Sequence, residues 1–273
     1  MEGLVDQHAP GRGGPDGPRA RQLAIANTVL KHGSVSVEDL VGLVGVSQMT
    51  VYRDLAALED SGVLQRHRGR VVAVASGLHE ADAEFRLQQS SEEKQAVAAH
   101  ASELVTSGCS VMLDDSTSGV WLLRSLRSRM SLTVVTNSLL VADEMTERRD
   151  DKLILTGGEY QPWAHSLMGP TAVATIRAMH ADLCFISASG IHELSCYHPY
   201  QEVVEVKRAM IESAERAVLL LDHTKFARRA LFKFADLRRF DRVIVDSGVP
   251  ADDRERLRAA GVELEVVPVA SHT

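Results

Sequence analysis

Polar clusters follow the ends of several short hydrophobic segments in the later part of the chain. They span residues 114–118, 136–138, 156–158, 187–190 and 222–225. Hydroxyls and backbone N–H groups at a helix start bind phosphate oxygens, and carboxylates such as those of Asp114 and Asp222 can accept hydrogen bonds from sugar hydroxyls. These residue types predict a site for a small polar anion such as a phosphorylated sugar.

A lysine interrupts the apolar stripe of a predicted helix. Val203, Lys207 and Ile211 follow one another at intervals of four, so the ammonium group projects with the apolar side chains. A lysine in this position needs an anionic partner or a path to water. Two interpretations stay open: the ammonium group binds a ligand phosphate, or it pairs with a structural carboxylate. Lys225, just after a strand end, is the second cation that we expect in the site.

A different chemistry is indicated by the segment SQMTVYRDLAALEDSGVLQRHRGR, residues 47–70. Ser47 can cap a helix in which Val51, Leu55 and Leu58 form the buried stripe. The side chains left exposed near its start are those that a recognition helix presents to base edges and phosphates. The basic residues that follow predict a two-stranded wing with a cationic turn on the phosphate backbone. The predicted DNA-binding residues are Ser47, Gln48, Thr50, Tyr52, Arg53, Arg66, His67, Arg68 and Arg70.

Two further helices are needed to position the recognition helix. Residues 21–32 have apolar side chains at helical spacing, and Ser36 with Asp39 resembles a capping box at the start of a second helix. Three helices and a hairpin in about 55 residues predict a winged helix-turn-helix domain, residues 19–76. A small helical bundle without a ligand is the alternative. Residues 1–18 are rich in glycine and proline and are predicted to form a disordered tail.

The remainder of the chain alternates between helices and short buried strands. After a polar linker at residues 77–90, this alternation continues through an effector-binding domain at residues 91–273. It predicts crossover connections and a mainly parallel sheet with helices on both faces. The fold class is therefore α/β, an N-terminal winged helix-turn-helix followed by a mainly parallel α/β domain. Because ligands bind beyond the carboxyl ends of parallel strands, we expect the polar clusters to meet there.

Composition restricts the classes of protein that fit. The 273 residues are 45% hydrophobic and have a net charge of −7, and no apolar run reaches the roughly 18 residues that a membrane span requires. Three widely spaced cysteines give neither a disulfide nor a zinc pattern, which fits a reducing cytoplasm and predicts no cofactor. The excess of arginine is confined to the wing, so tight DNA binding would need two such domains in a homo-oligomer, a dimer or a tetramer.

The chain resembles the DeoR-type transcriptional regulators in a series of motifs. VSQMTVYRDLAALEDSGVLQRHRGR, LDDSTS, VVTNS, LTGG, SLMGPTA, ADLCFISASGI, EVVEVKRAMI and LLLDHTKF follow one another across roughly residues 19–250. The resemblance implies a sensor domain related in fold to ribose-5-phosphate isomerase, repression of carbohydrate-metabolism genes and a phosphorylated sugar as the effector. Together with the strand-end clusters it predicts the effector-binding residues Asp114, Ser116, Thr117, Ser118, Thr136, Asn137, Gly157, Gly158, Lys207, Asp222 and Lys225.

The sequence departs from the family pattern in both predicted domains. Tyr52-Arg53 stands where the recognition helix commonly has two arginines, and residues 67–69 read His-Arg-Gly where the wing usually ends in His-Gly-Gly. Ser116 replaces a common glycine, and residues 196–198, Cys-Tyr-His, replace a Gly-hydrophobic-Thr stretch. The operator sequence and the identity of the sugar are therefore not transferable from the family.

Two other functional classes are weighed against a DNA-binding repressor. Asp114, Asp115 and Lys207 could supply a base and a cation for an isomerase, although an attached DNA-binding domain would serve no purpose there. A metal-responsive regulator is the other alternative, but the spacing of its candidate ligands matches no tetrahedral site. Those candidate ligands are His192, Cys196, His198, Asp222 and His223.

Overall fold

The computed structural model describes residues 17–67, 69–74, 80–126, 131–148 and 150–269. The chain forms two compact units, Met1–Ala75 and Ser76–Thr273. The predicted tail lies outside the described residues except for Gly17 and Pro18, and Pro18 already begins a helix. Within the described ranges, no helix has the length and apolar character that a membrane span requires.

The first unit is a winged helix-turn-helix, as predicted. Its sheet has one strand more than the predicted hairpin, because residues 34–36 pair with the second strand of the wing. All three strands are antiparallel, in the order β1-β3-β2. The elements are α1 (Pro18–His32), β1 (Ser34–Ser36), α2 (Val37–Val44), α3 (Gln48–Asp60), β2 (Leu64–His67) and β3 (Arg70–Ala73).

The start of α3 and its buried face follow from the sequence signals. The Ser47 hydroxyl accepts a hydrogen bond from the Thr50 backbone N–H at 3.3 Å, which satisfies one of the unpaired donors at the helix start. Val51, Leu55 and Leu58 are buried on the inward face. The buried residues of α3 also include Asp54, whose carboxylate accepts a hydrogen bond from Arg21 of α1 at 2.5 Å. This pair fixes α3 against α1.

The second unit is built on a parallel sheet of seven strands, as the alternation of helices and strands predicts. The order β15-β14-β12-β9-β4-β5-β6 places β9 between β4 and β12. The strands of this sheet are β4 (Ser110–Leu113), β5 (Thr133–Thr136), β6 (Lys152–Leu155), β9 (Ala181–Ile186), β12 (Ala214–Leu221), β14 (Arg242–Asp246) and β15 (Leu264–Val267).

Helices cover both faces of the sheet and form two separate cores. Successive residues of β9 alternate between them, Leu183 and Phe185 facing one core and Cys184 and Ile186 the other. The first core contains α5 (Ser91–Ser102), α6 (Thr117–Ser125) and α7 (Leu139–Met145). The second core contains α8 (Pro170–Arg177), α9 (Gln201–Glu212) and α10 (Ala251–Ala259).

Several elements of the second unit have no counterpart in the sequence prediction. The predicted linker contains a short helix, α4 (Ala83–Gln88), capped by the Asp82 carboxylate. Helix α8 begins at Pro170, shortly after a strand that ends at Met168. The additional strands are β7 (Glu159–Gln161), β8 (Ser166–Met168), β10 (Gly190–His192), β11 (Ser195–His198) and β13 (Phe232–Asp236).

Candidate functional site

A cavity in the second unit lies beyond the carboxyl ends of β4, β9 and β12, the three central strands. The space between its walls measures about 360 Å³, including the part open to solvent. Its lining residues are Glu80, Arg86, Lys94, Asp115, Ser116, Thr117, Ser118, Ser187, Ala188, Ser189, His198, Lys207 and Lys225.

Asp114 lies behind the cavity and bonds to residues from three of the segments that line it. Its carboxylate is fully buried and accepts hydrogen bonds from the backbone N–H groups of Ser116, at 3.0 Å, and Ser187, at 3.1 Å. The Lys207 ammonium group lies 2.5 Å from Asp114 and 3.2 Å from Asp115. Burial opposes the charge on this lysine, but the two carboxylates raise the pKa of Lys207 above its ordinary value. Lys207 thus lines the cavity with its charge already compensated by structural carboxylates, which is the second of the two interpretations given in the sequence analysis.

Arg86 of α4 brings a second cation to the cavity. Its Nε donates to the Ala81 carbonyl at 2.9 Å, and its guanidinium lies 5.7 Å from the centre of the Trp163 ring. Its Nη2 atom is buried and has no hydrogen-bond partner among the described residues. A buried guanidinium with an unused donor is suited to an anionic ligand.

Two lysines, Lys94 and Lys225, line the cavity together with Arg86, and we call these three residues the cationic wall. Lys225 lies 3.8 Å from Asp222, and only 11% of its side chain is exposed. Lys94 of α5 donates to the carbonyl oxygens of Arg86 and, at 2.7 Å, Gln89. Burial, reinforced by the charge of Lys225, lowers the pKa of Lys94 to about 7. The protonation of Lys94 is therefore sensitive to any anion that enters.

Glu80 is a carboxylate on the same side of the cavity as these cations. It is buried and pairs with Arg228 at 3.2 Å through one oxygen, while Oε2 has no hydrogen-bond partner among the described residues. Burial opposes its charge, but Arg228, Arg86 and Lys225 hold the pKa of Glu80 well below its ordinary value. Glu80 is therefore ionised within the cationic wall.

His198 occupies the wall beside the aromatic rings of Trp163 and Tyr200. Burial lowers the pKa of His198 to about 4, so the ring is neutral at pH 7. Its Nδ1 accepts a hydrogen bond from the Tyr200 backbone N–H at 3.2 Å, which leaves the proton on Nε2. The neutral ring can donate one hydrogen bond to a ligand without adding positive charge.

The structure brings part of the predicted effector site together. Ser116, Thr117, Ser118, Lys207 and Lys225 line the cavity. Asp114 and Asp222 lie behind it, where each accepts hydrogen bonds from neighbouring residues. Thr136, Asn137, Gly157 and Gly158 are not among the lining residues.

These last four residues position the β7–β8 hairpin and the loop of β5. The Thr136 hydroxyl donates to the Leu113 carbonyl at 2.7 Å, and Asn137 donates to the Leu167 carbonyl at 3.0 Å. Gly158 has a φ of 121°, and a Cβ atom there would lie 2.4 Å from the Met168 carbonyl oxygen. The donor groups of Thr136 and Asn137 are thus engaged in holding the backbone, whereas the buried Oδ1 of Asn137 has no hydrogen-bond partner among the described residues.

Glu80, Arg86 and Lys94 line the cavity although the sequence interpretation passed over them. Glu80 and Arg86 fall within the predicted linker, where charged side chains are typical of solvated chain. Lys94 had a detectable signal: it lies at intervals of three, four and seven from Val97, Ala98 and Ala101, all buried. Like Lys207, Lys94 is thus a lysine on the apolar stripe of a helix, which is a signal present in the sequence.

The candidate metal ligands do not assemble. Among the described residues, no group of three or more histidine, cysteine, aspartate or glutamate side chains could hold a metal ion. His223 instead contacts Asp246 through Nδ1 at 2.9 Å, and Cys196 is fully buried in the core. The geometry therefore gives no support to a metal-responsive regulator.

The predicted recognition helix presents an open face at its start. Gln48, Met49, Tyr52 and Arg53 are exposed, with 73% of Met49 accessible. Ser47 and Thr50 are bonded to each other, their hydroxyls 2.9 Å apart, because they form the cap of α3. The outer face thus combines polar, cationic and apolar side chains, as base reading in a major groove requires.

The predicted basic turn of the wing is partly strand. Arg66 and His67 belong to β2 and Arg70 to β3, while Arg68 lies outside the described residues. Arg66 pairs with Glu59 at 2.5 Å, and Arg70 donates to the Ser34 hydroxyl at 2.8 Å. Both arginines have intramolecular partners that a DNA phosphate would have to replace.

Comparison with protein families matches both units of the chain. Residues 21–76 match the DeoR-like helix-turn-helix domain. Residues 89–247 match the DeoR C terminal sensor domain. Together the two matches span most of the chain in the order in which the two units occur.

Individual proteins are similar over nearly the whole chain. A putative aga operon transcriptional repressor from Escherichia coli is 34% identical over 254 residues, which cover 92% of this chain and 94% of that protein. The HTH-type transcriptional regulator GlpR of Haloferax volcanii is 33% identical over 246 residues, 90% of this chain and 96% of its own. The solved structure of ribose 5-phosphate isomerase A from Methanocaldococcus jannaschii aligns with 49% of this chain and 53% of its own, at a TM-score of 0.36 and 17% identity. This partial structural likeness identifies no activity.

Proposed function

Since the chain belongs to the DeoR family of transcriptional regulators, we propose that it is a DNA-binding repressor of carbohydrate-metabolism genes that a phosphorylated sugar releases from its operator. The family consists of regulators and not of enzymes, so the isomerase alternative is set aside. In this proposal α3 reads bases through Gln48, Tyr52 and Arg53, and His67 and its basic neighbours in the wing contact phosphates. We place its action in the cytoplasm.

The observation that carries the proposal is the uneven charge of the cavity. Lys207 is compensated by Asp114 and Asp115. Three further cationic side chains, those of Arg86, Lys94 and Lys225, line the cavity, and Glu80 is the one lining carboxylate that interacts with all three. A phosphate group would be favoured beside these three cations, and sugar hydroxyls would be favoured beside Asp115 and the serines.

The start of α6 supports the same placement of the phosphate. Ser116 precedes this helix without a side-chain capping bond, so a ligand oxygen can take the place of a cap. The Thr117 hydroxyl donates to the Arg86 carbonyl at 3.3 Å, which ties the helix start to α4. We therefore propose Ser116, Thr117, Ser118, Arg86, Lys94 and Lys225 as the phosphate-binding residues.

Release from DNA requires the ligand to prefer one arrangement of the molecule. A sugar phosphate can lower operator affinity only if it binds the DNA-incompetent arrangement more tightly. We propose a homodimer or a tetramer in which two winged helix-turn-helix units meet paired half-sites. A typical coupling of about 1–3 kcal/mol would change operator affinity roughly 5- to 150-fold.

The test uses the full chain, the DNA upstream of its own gene and pairs of sugars with and without a phosphate. We expect a sugar phosphate to raise the melting temperature, because binding to the folded state stabilises it by about 2.7 kcal/mol at a hundred times the dissociation constant. The same compound should lower DNA affinity in a fluorescence anisotropy titration, and the free sugar should do neither. Failure to bind any promoter fragment, or DNA binding indifferent to every phosphorylated sugar, would contradict the proposal.

A further inference from the structure

Glu80 places a negative charge where the proposed ligand must place its own. Of the two carboxylates that line the cavity, Asp115 pairs with Lys207, whereas Glu80 pairs with Arg228 and interacts with Arg86 and Lys225. It is 6% exposed, and its Oε2 has no hydrogen-bond partner among the described residues. Arg228 holds the other oxygen at 3.2 Å.

A phosphate group and this carboxylate compete for the same partners. Arg86 and Lys225 interact electrostatically with Glu80, and both also line the cavity. Two like charges close together in a poorly hydrated space repel each other strongly. An anion that binds to Arg86 and Lys225 therefore either keeps Glu80 beside it at a large cost or displaces it.

We propose that Glu80 is a resident counter-ion of the ligand cavity and that an anionic ligand binds by replacing its carboxylate beside Arg86 and Lys225, two cations near Glu80 that line the cavity. The inference rests on the proposed function, in which this cavity receives a phosphorylated effector. It makes Glu80 a specificity-determining residue, because a neutral sugar cannot take over the pairing that Glu80 gives up.

Glu80 lies a few residues before α4, so displacement of its carboxylate by an anion also affects the start of that helix. Glu80 follows Val74, the last described residue of the first unit, after a few residues only. Asp82 and Ala81 then connect it to α4, where they bond to Phe85 and Arg86. Displacement of Glu80 thus acts on the residues that lead into α4.

The first experiment compares the full chain with E80Q and with E84Q as a matched control. Glu84 is exposed on α4, so its substitution removes the same charge outside the cavity. With inorganic phosphate and with glucose 6-phosphate as probes, calorimetry should show E80Q binding about tenfold more tightly or better, since one like charge near the anion is lost. E84Q should bind like the unaltered chain. Equal or weaker binding by E80Q would overturn the proposal.

The second experiment needs no substitution, so it holds even if E80Q folds poorly. Hydrogen exchange of the unaltered chain should show the backbone amides of Phe85 and Arg86, which are bonded to Asp82, losing protection when glucose 6-phosphate binds, while those at the start of α6 gain it. Increased protection in both segments would contradict displacement.

The binding data separate this inference from the proposed function on which it rests. If no phosphorylated probe binds the unaltered chain, E80Q or E84Q, the proposed function itself fails. If all three proteins bind the probes equally, only the exchange at Glu80 is wrong.

Discussion

Two ion pairs, one in each unit, lie in opposite surroundings. In the first unit, Arg66 and Glu59 pair at the surface, with 37% and 23% of their side chains exposed. In the second, Lys207 and Asp114 pair with 3% and 0% exposed. Water and salt screen the first pair but barely reach the second. A surface pair can therefore be exchanged for a DNA phosphate at little cost, whereas the buried pair keeps its geometry whatever enters the cavity.

The largest effect on stability is expected for Lys207→Ala. The substitution leaves Asp114 and Asp115 buried without their cation, so the second unit should lose about 3–5 kcal/mol of unfolding free energy. Urea denaturation followed by circular dichroism would measure the loss, with Lys152→Ala on exposed β6 as the control. A loss below about 1 kcal/mol would show that the two carboxylates find other partners. Because of this instability, Lys207→Ala alone cannot identify Lys207 as a ligand-binding residue.

Arg86→Ala should have the largest effect on the ligand. Removal of a buried guanidinium that pairs with phosphate costs about 2–3 kcal/mol, so affinity for a sugar phosphate should fall roughly a hundredfold. Operator binding without the ligand should be unchanged. Calorimetry and anisotropy would measure the two affinities. Arg124→Ala, which removes a partly exposed arginine of α6, should leave both unchanged; an equal loss with this variant would point to a general effect of charge.

Arg53→Ala should weaken operator binding and spare the ligand. Loss of one direct base or phosphate contact costs about 1–3 kcal/mol, which corresponds to a tenfold or larger fall in DNA affinity. Footprinting on the upstream DNA would detect it, and Arg258→Ala on exposed α10 removes the same charge outside the first unit. Identical footprints for Arg53→Ala and the unaltered chain would exclude Arg53 from the DNA contact.

The cavity should also respond to pH through Lys94. Its pKa of about 7 means that the ammonium group loses its proton as the pH rises above neutrality. A bound phosphate ester favours the charged form, so binding takes up a proton and should weaken by up to about tenfold per pH unit between pH 7.5 and 9. Calorimetry in buffers of different ionisation enthalpy measures this uptake. Lys94→Met should bind more weakly at pH 7 and lose most of the slope; a slope that persists unchanged would assign the proton to another group.

The smallest effect is expected for Arg66→Ala. Exposed pairs contribute about 0–1 kcal/mol, so the unfolding free energy of the first unit should change by less than about 1 kcal/mol. DNA affinity should nevertheless fall and its dependence on salt should become shallower by about one phosphate contact. Anisotropy titrations at several salt concentrations test this. An unchanged salt dependence would mean that Arg66 stays paired with Glu59 when DNA binds.

Much of the fold is encoded in local signals. Ser47, with the apolar residues at intervals of four and three behind it, identifies α3, because capping and burial act within one helix. The alternation of helices and short apolar strands likewise predicts the parallel sheet and the edge at which Ser116 and Thr117 lie. These signals depend on neighbours a few residues away, and the structure confirms the helices and strands that they predict.

The cationic wall depends instead on partners that are distant in the sequence. Glu80 and its partner Arg228 are 148 residues apart, so nothing local distinguishes Glu80 from a solvated glutamate. Thr136 and Asn137 stand at the expected strand end but are not among the lining residues of the cavity. Their donor groups bond to the carbonyl oxygens of Leu113 and Leu167, and the β7–β8 hairpin that contains Leu167 has no clear periodicity. The edge of the sheet was therefore predictable, but the division between ligand-binding and structural residues was not.

The bond between Arg21 and Asp54 limits how the molecule can respond to an effector. Since rolling α3 about its own axis would strand a carboxylate in an apolar interior, the helix-turn-helix has one internal geometry that is far more stable than any rotated one. In the proposed homo-oligomer, an effector would therefore have to move this unit as a rigid body and change the spacing between two copies, without altering the internal geometry of either one.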